Sequence, residues 1–487
     1  MRKRNKERLK SVILVGLFIL SIGLNTHVGL NFSDNNLVST TEKDTPQELD
    51  MANEVKENLV NIISPQRYIV SFGGGLHTII YYDSHDIWKT LAKSIRNSYK
   101  EENVSKIDYE TWKKAKDHKS VELEFDYIFP VKDLGDILKI DSKGKVIESL
   151  NRILISQLDK RVYVADTLNG EYYVISNILN IDHILKEIDS IEKSDYKIYY
   201  NMADIYGVKN NNLMPEAFPN VQKIKVEKEI MPTNERQAEA YAETFFGNNL
   251  DFIRKIKETS GTIVYMYGYG ERVLRIEDTG RVEYIEEIDP QLSNEKTSLN
   301  EAFKVAINFI STHGNSDANK IYLRDIKDIV EQDKGGYSFF FGYKLNNLPL
   351  YAKSEELNRK VVDPIEVRVV GRQVVSYKRI VKNEKNVIKF LEEDMTPMLK
   401  ARHVIDLNFE TIRSDYINHI QEKVKMGRTI NLKDVSKNIL EEIENVEIAY
   451  YDYEKKYKNE LSPIWIIKNS VKTYYIDAYT GEIVGSF

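Results

Sequence analysis

The sequence contains no cysteine. That absence rules out disulfides, a thiolate nucleophile, Cys-ligated zinc and a lipidated cysteine. It suits the outer face of a Gram-positive-type cell and the cytosol equally. Proline (11) and glycine (23) are sparse for 487 residues, which argues against long disordered tracts. No HExxH pattern occurs: the eight histidines stand at 27, 77, 85, 118, 183, 313, 403 and 419 without a close pair. There is no GxSxG nucleophile elbow. Gly73 to Gly75 lack the GK[ST] that would make them a phosphate cradle. The acidic stretch DLGDILKIDSKGK lacks calcium-loop spacing and reads as a solvated turn. The Tyr-rich strands could stack on sugar or peptide, but tyrosine is an ordinary strand residue. The chain is therefore expected not to be an enzyme. No catalytic residue, cofactor or metal ligand is assigned.

What is present is 42% hydrophobic residues with 31 tyrosines, enough for several cores. At roughly 150 residues per domain, the length suggests about three. MRKRNKERLK carries +5, and Val12 to Leu24 hold no charge before Asn25, Thr26 and His27 interrupt. A span needs about 20 apolar residues, so residues 11–30 are expected to form one short transmembrane helix. No small-residue cleavage pattern follows Leu24. The basic flank places the N-terminus inside and the bulk of the chain outside the cytoplasm. Gly16 and Gly23 lie seven apart, on one stripe, and Asn25 is polar near the outer end. These three are the candidate helix–helix interface. The whole chain carries −6 and the tail +5, leaving −11 on the rest. A mildly acidic ectodomain is not expected to bind nucleic acid. Homo-oligomerisation is left open.

The pattern divides the chain into a basic tail (1–10), the membrane helix (11–30), a polar linker (31–64) and three α+β domains at 65–220, 221–382 and 383–487. RYIVSF–GGG–LHTIIYY reads as a hairpin. A helix follows with Ile87, Leu91 and Ile95 on one face and Ser84 as its candidate cap. In the second domain NERQAEAYAETFF is capped by Asn234 with Gln237 three residues on. SLNEAFKVAINFI opens with Ser298 and Glu301 as a capping box. Both helices repeat one spacing: Ala238, Tyr241, Ala242, Phe245 and Phe246 in the first, Ala302, Val305, Ala306, Phe309 and Ile310 in the second. The third domain is expected to hold helices at VIKFLEEDM and around DVSKNILEEI. In each of the later domains strands follow helices, so the fold class is α+β, with antiparallel sheets and packed helices.

KTYYIDAYTGEIV, near the C-terminus, presents a carboxylate on a tight loop. The same outline, a Gly between two alternating runs, recurs at IDSKGKV, IEDTGRV and VVGRQVV. The acidic residue is missing from the last of these. Recurrence without the carboxylate marks architecture, so Gly144, Gly280, Gly371 and Gly481 are expected to be turn glycines at positive φ. Asp477 is expected to cap its turn.

Taken in order, SVELEFDYIFP, NERQAEAYAETFF, VLRIEDTGRVEYIE, FFFGYKLNNLPLY, VVSYKR and SPIW resemble the YycH family of Gram-positive bacteria. The resemblance covers most of the chain except 31–64 and 383–430. It implies a non-enzymatic regulator, anchored in the membrane by one helix. Such a regulator works with a YycI-like protein on the sensor histidine kinase WalK (YycG), a two-component kinase governing cell-wall metabolism. It also implies that the central and C-terminal domains resemble one another as PepSY/YycI-like helix-then-strands repeats. The alternative class is an extracytoplasmic PepSY-like binding or protease-inhibitor module.

Overall fold

Alternation in SVELEF, NRILIS and RVYVAD builds the first of two large sheets. The structure, a computed structural model, describes residues 59–81, 86–138, 140, 146–178, 181–194, 196–215, 221–247, 250–292, 296–314, 320–353, 361–380, 382–384, 397–425, 434–452 and 460–487. The expected membrane helix with Gly16, Gly23 and Asn25, the cap Ser84, the turn Gly144 and the helix at 387–395 lie outside them. No helix among the described residues is long and apolar enough to cross a membrane.

The first sheet comprises β1 (Arg67–Gly73), β2 (Leu76–Ile80), β3 (Val104–Ile107), β4 (Ser120–Pro130), β5 (Ser149–Ser156), β6 (Arg161–Asp166), β7 (Glu171–Ile175), β8 (Tyr199–Asn201) and β9 (Leu213–Pro215), in the order β3-β7-β6-β5-β4-β1-β2-β8-β9. β1 and β2 form the hairpin read from sequence, and Gly73, Gly74 and Gly75 all take positive φ. Among the described residues five helices accompany it: α1 (Ile87–Ser98), α2 (Tyr109–Lys116), α3 (Val131–Leu138), α4 (Ile181–Glu192) and α5 (Met202–Tyr206). Trp88, Leu91 and Ile95 of α1 and Ile184 and Ile188 of α4 belong to the main core with Val70, Val121, Leu123 and Ile153. α2 covers part of the opposite face, where Trp112 meets Leu154, Tyr163 and Val174.

The second sheet runs through the rest of the chain. Its strands are β10 (Ile224–Lys228), β11 (Arg254–Lys257), β12 (Ile263–Tyr267), β13 (Arg272–Ile276), β14 (Arg281–Glu286), β15 (Ile321–Glu331), β16 (Lys334–Leu345), β17 (Leu348–Lys353), β18 (Val361–Val362), β19 (Ile365–Val370), β20 (Gln373–Ile380), β21 (Lys382–Glu384), β22 (Ile443–Asp452), β23 (Glu460–Asn469), β24 (Thr473–Asp477) and β25 (Ile483–Ser486). The main path is β11-β12-β13-β14-β20-β19-β16-β17-β22-β23-β10-β21, with β15 on β16, β18 on β17 and β24–β25 beyond β23. The sequence pattern pointed to antiparallel sheets, and here one join departs from it. β17 and β22 are parallel, Leu350 facing Tyr450. The chain between them is long enough to make the crossover that a parallel pair requires.

Among the described residues four helices serve this sheet: α6 (Glu235–Phe246), α7 (Leu299–His313), α8 (Ala401–Lys425) and α9 (Val435–Glu441). Asn234 Oδ1 accepts from Gln237 N, and Ser298 Oγ from Glu301 N. The Glu301 carboxylate, however, pairs with Arg372 Nη2 at 2.8 Å. Ala238, Ala242, Ala302 and Ala306 are buried, small enough to seat the helices on the strands. α7 also buries Phe303, 5.5 Å from Phe339, so its covered arc is wider than the Ala-based spacing indicates. Residues 55–487 make up one compact unit.

α8 is the element the sequence did not announce. Its buried residues Val404, Ile405, Ile412, Tyr416 and Ile420 are interrupted by Asn408, which breaks the apolar stripe. Asn408 Nδ2 donates to its own helix at Val404 O and to Gly481 O, both at 2.9 Å. The IDAYTGE turn is thus bolted to α8. Leu399 N also donates to Ala478 O, and Tyr479 OH to Val221 O. Asp477 Oδ1 accepts from Tyr479 N and Thr480 N.

Gly280, Gly371 and Gly481 stand at φ +88°, +59° and +74°. A Cβ at Gly481 would lie 3.0 Å from Leu407 Cδ1 and 3.2 Å from Leu399 Cδ1. Gly481→Val should therefore lose about 1–3 kcal/mol by urea unfolding, through left-handed backbone strain and crowding. Asp477→Asn keeps the accepting oxygen and should stay within about 0.5 kcal/mol of the parent. A loss of signalling by a normally folded Asp477→Asn protein would instead make the turn a functional site.

Candidate functional site: a buried charge network joining the two sheets

Strand register assembles this network. Arg67 of β1 faces Glu124 of β4, and Glu124 faces Arg152 of β5. The three form a cross-strand ladder of alternating sign on one face. Arg67 Nε meets Glu124 Oε2 at 2.7 Å. Arg152 spans Glu124 Oε1 and Glu122 Oε1, both at 2.8 Å. Lys116 of α2 closes the series on Glu122. Burial alone would raise the Glu124 carboxyl, but the Arg152 and Arg67 guanidinia pull it down to about 2. Glu122, more deeply buried, is lowered for the same reason by Lys116 and Arg152.

The ladder continues into the C-terminal strands. Arg67 Nη1 donates to Asn445 Oδ1 at 2.6 Å. Glu447, three per cent exposed, accepts from Tyr351 OH at 2.9 Å and from Gln66 Nε2 at 3.5 Å. Asn210 Nδ2 donates to the carbonyls of Leu440 and Ile443, and Asn212 Nδ2 to Ile443 O, at 2.7–2.8 Å. The start of the described chain is thereby fixed to its last third.

A second group lies where β4 leaves its ladder. Pairing with β5 shifts between Glu124 and Phe129, and pairing with β1 ends at Glu124. Asp126, in this gap, reaches Arg324 of β15 at 3.3 Å. Arg324 also holds Asp363 at 2.8 Å and lies over the Tyr351 ring at 4.8 Å. Burial pushes the Asp126 carboxyl up to about 6. Arg324 opposes the shift, while Glu447 and Glu124 reinforce it. Beside it Lys344 donates to Pro65 O at 3.3 Å and lies over the Tyr322 ring.

In this network acids and bases neutralise one another, so its chemistry is that of a joint. Ser71 Oγ and His77 Nδ1 are 2.8 Å apart, but they are a facing cross-strand pair of the β1–β2 hairpin and both are buried. Burial lowers the pKa of His77 and keeps it neutral. Among the described residues no group of three or more His, Asp or Glu is placed to hold a metal ion. The turn glycines 280, 371 and 481 are not brought together with this network. Nor did sequence reasoning find it: Arg67, Glu122, Glu124 and Arg152 sit at polar positions of alternating strands, which reads as a solvent face.

Fold and network together define an α+β scaffold whose separate sheet segments are clamped by buried charges. No protein-family model and no curated protein sequence matches the chain. Among solved structures, the crystal structure of YycH from Bacillus subtilis is similar to it, with a TM-score of 0.52 at 12% identity. The match covers 91% of this chain and 99% of that one. The chain has a YycH-like fold.

Proposed function

We propose that the chain is a membrane-anchored regulatory protein that acts outside the cytoplasm on a two-component sensor histidine kinase. The kinase is of the WalK type, controlling cell-wall metabolism, and a YycI-like protein works alongside. The observation that carries this reading is the YycH-like fold over nearly the full length of both chains. The basic tail and the uncharged run after it support a single-pass anchor with the N-terminus inside. Output passes through protein contacts and through the Gly16–Gly23–Asn25 stripe of the membrane segment, where small residues permit close helix approach.

Two measurements test this reading. A reporter active only outside the cytoplasm, fused after Phe487, should be active. Full-length protein extracted from membranes should co-purify with the kinase, and Gly16→Leu with Gly23→Leu should reduce that association without lowering the membrane level. An inactive, fully expressed fusion would remove the regulatory reading. Co-purification with a peptidase in place of the kinase would favour the binding-module class.

A further inference from the structure

One end of the second sheet is unfinished. Among the described residues β11 pairs only with β12, leaving its outer row of backbone N–H and C=O groups open. Exposed large apolar side chains concentrate around it: Phe252, Ile256, Tyr267, Tyr269 and Ile285 all belong to the β11–β14 meander. Tyr269 is wholly exposed (101%) and Phe252 nearly so (82%). Tyr269 sits at the tip of the β12–β13 hairpin between Gly268 (φ +59°) and Gly270 (φ +109°), a backbone that holds the ring away from the sheet. Phe252 lies two residues before β11, at the same end of the meander.

The two faces of this edge differ. α6 covers one, where Lys255 Nζ meets Glu239 at 2.8 Å and Lys257 pairs with Glu235. On the other, Arg254 faces Met266, Met266 faces Val273 and Val273 faces Ile285. That row of half-buried and exposed apolar groups ends at the exposed Arg254 guanidinium, for which the described residues supply no ion-pair partner. β11 thus reads Arg-Lys-Ile-Lys along an open edge.

We infer that β11 is a docking edge for an extended acidic segment of a partner protein, which adds to the sheet as a further strand and is gripped at one end by Phe252 and Tyr269. Backbone pairing supplies affinity, as in other strand-addition complexes, and alternate side chains supply selection. A carboxylate beside Arg254 and an aliphatic residue beside Ile256 complement the open face, while Lys255 and Lys257 are held by Glu239 and Glu235 on the covered one. A second copy of the chain does not: pairing β11 with itself sets like charges opposite each other. This docking edge goes beyond the regulatory reading, and neither depends on the other.

The probe is a short capped peptide of Glu and Thr with one central Ile, added to the full-length protein in detergent at low salt. Amide hydrogen exchange should slow at Arg254–Lys257, and binding should weaken as salt rises. Arg254→Glu and Tyr269→Ala, both at exposed positions, should each weaken binding by about tenfold. A Lys-for-Glu version of the peptide should fail to bind. The proposal is overturned if the acidic peptide gives no protection, or if the Lys version binds equally. It is also overturned if protection follows protein concentration alone, the mark of a second copy, or appears only with anionic vesicles.

Discussion

Arg379→Met is expected to cost about 3–5 kcal/mol, read as a fall in the urea midpoint at unchanged slope. Arg379 of β20 is one per cent exposed, and its carboxylate partner Glu229 is also buried. The pair is bidentate: Nε meets Oε2 at 2.8 Å and Nη2 meets Oε1 at 3.1 Å. Methionine fills much of the volume but takes the guanidinium from a carboxylate already out of water. The damage therefore comes mainly from the charge left behind. A second substitution should reveal this. Arg379→Met combined with Glu229→Gln should recover at least half of the loss, whereas two independent packing defects would add.

Position makes this pair informative about the whole molecule. Glu229 directly follows β10, which pairs with β23 of the C-terminal segment, while Arg379 lies between β14 and β19 in the central one. Amide exchange in Ile224–Lys228 should accelerate along with that in β20. A cost below about 1 kcal/mol, with β10 unaffected, would mean that the pair is solvated and the segments are held by apolar packing alone.

The sequence was legible where local pattern and long-range structure agree. Period-3.6 spacing and polar caps located α6 and α7, because an amphipathic helix on a sheet needs one apolar stripe and a defined start. A glycine between two alternating runs located the turns at Gly280, Gly371 and Gly481, because left-handed backbone disfavours a Cβ. Long-range partners broke this legibility. α8 went unread because Asn408 occupies the centre of its stripe, and that residue makes sense only once Gly481 O is beside it. The charge ladder went unread because alternation assigns Arg67, Glu124 and Arg152 to water, and only the packing of α2 and the C-terminal β22 covers that face. The parallel β17–β22 join is likewise invisible locally, since nothing in either strand names its partner.

Asp126 carries the prediction with a definite pH signature. Its pKa is about 6 in the folded protein against an ordinary 3.8. The native state then binds the proton more tightly than the unfolded chain. The stabilisation this confers is complete below about pH 4 and is lost as pH rises through about 6. The full shift would be worth about 3 kcal/mol, but Asp126 is an exposed residue with one-fifth of its side chain open to water, and solvent screening reduces the expected effect to about 1–2 kcal/mol. Asp126→Asn imitates the protonated form at every pH. It should be more stable than the parent by about 1–2 kcal/mol near pH 7.5, and equal to it near pH 4.

The parent's own pH curve is the wrong place to look for this. His313, stacked on Phe245 and beside Phe309, is held neutral by burial with its pKa lowered to about 4, so its contribution is present above about pH 6.5 and lost on acidification. His77 runs the same way, as do Glu122 and Glu124 at lower pH, whereas Asp133 and Asp363 follow Asp126. These slopes overlap and partly cancel in the parent. The difference between the Asp126→Asn and parent curves removes every group the two share and leaves Asp126. If that difference is flat with pH and the variant is weaker throughout, Arg324 keeps the carboxylate ionised and the contact is an ordinary ion pair. If it rises between about pH 4 and 6 as expected, burial outweighs the guanidinium. The joint between β4 and β15 then tightens as the surroundings acidify.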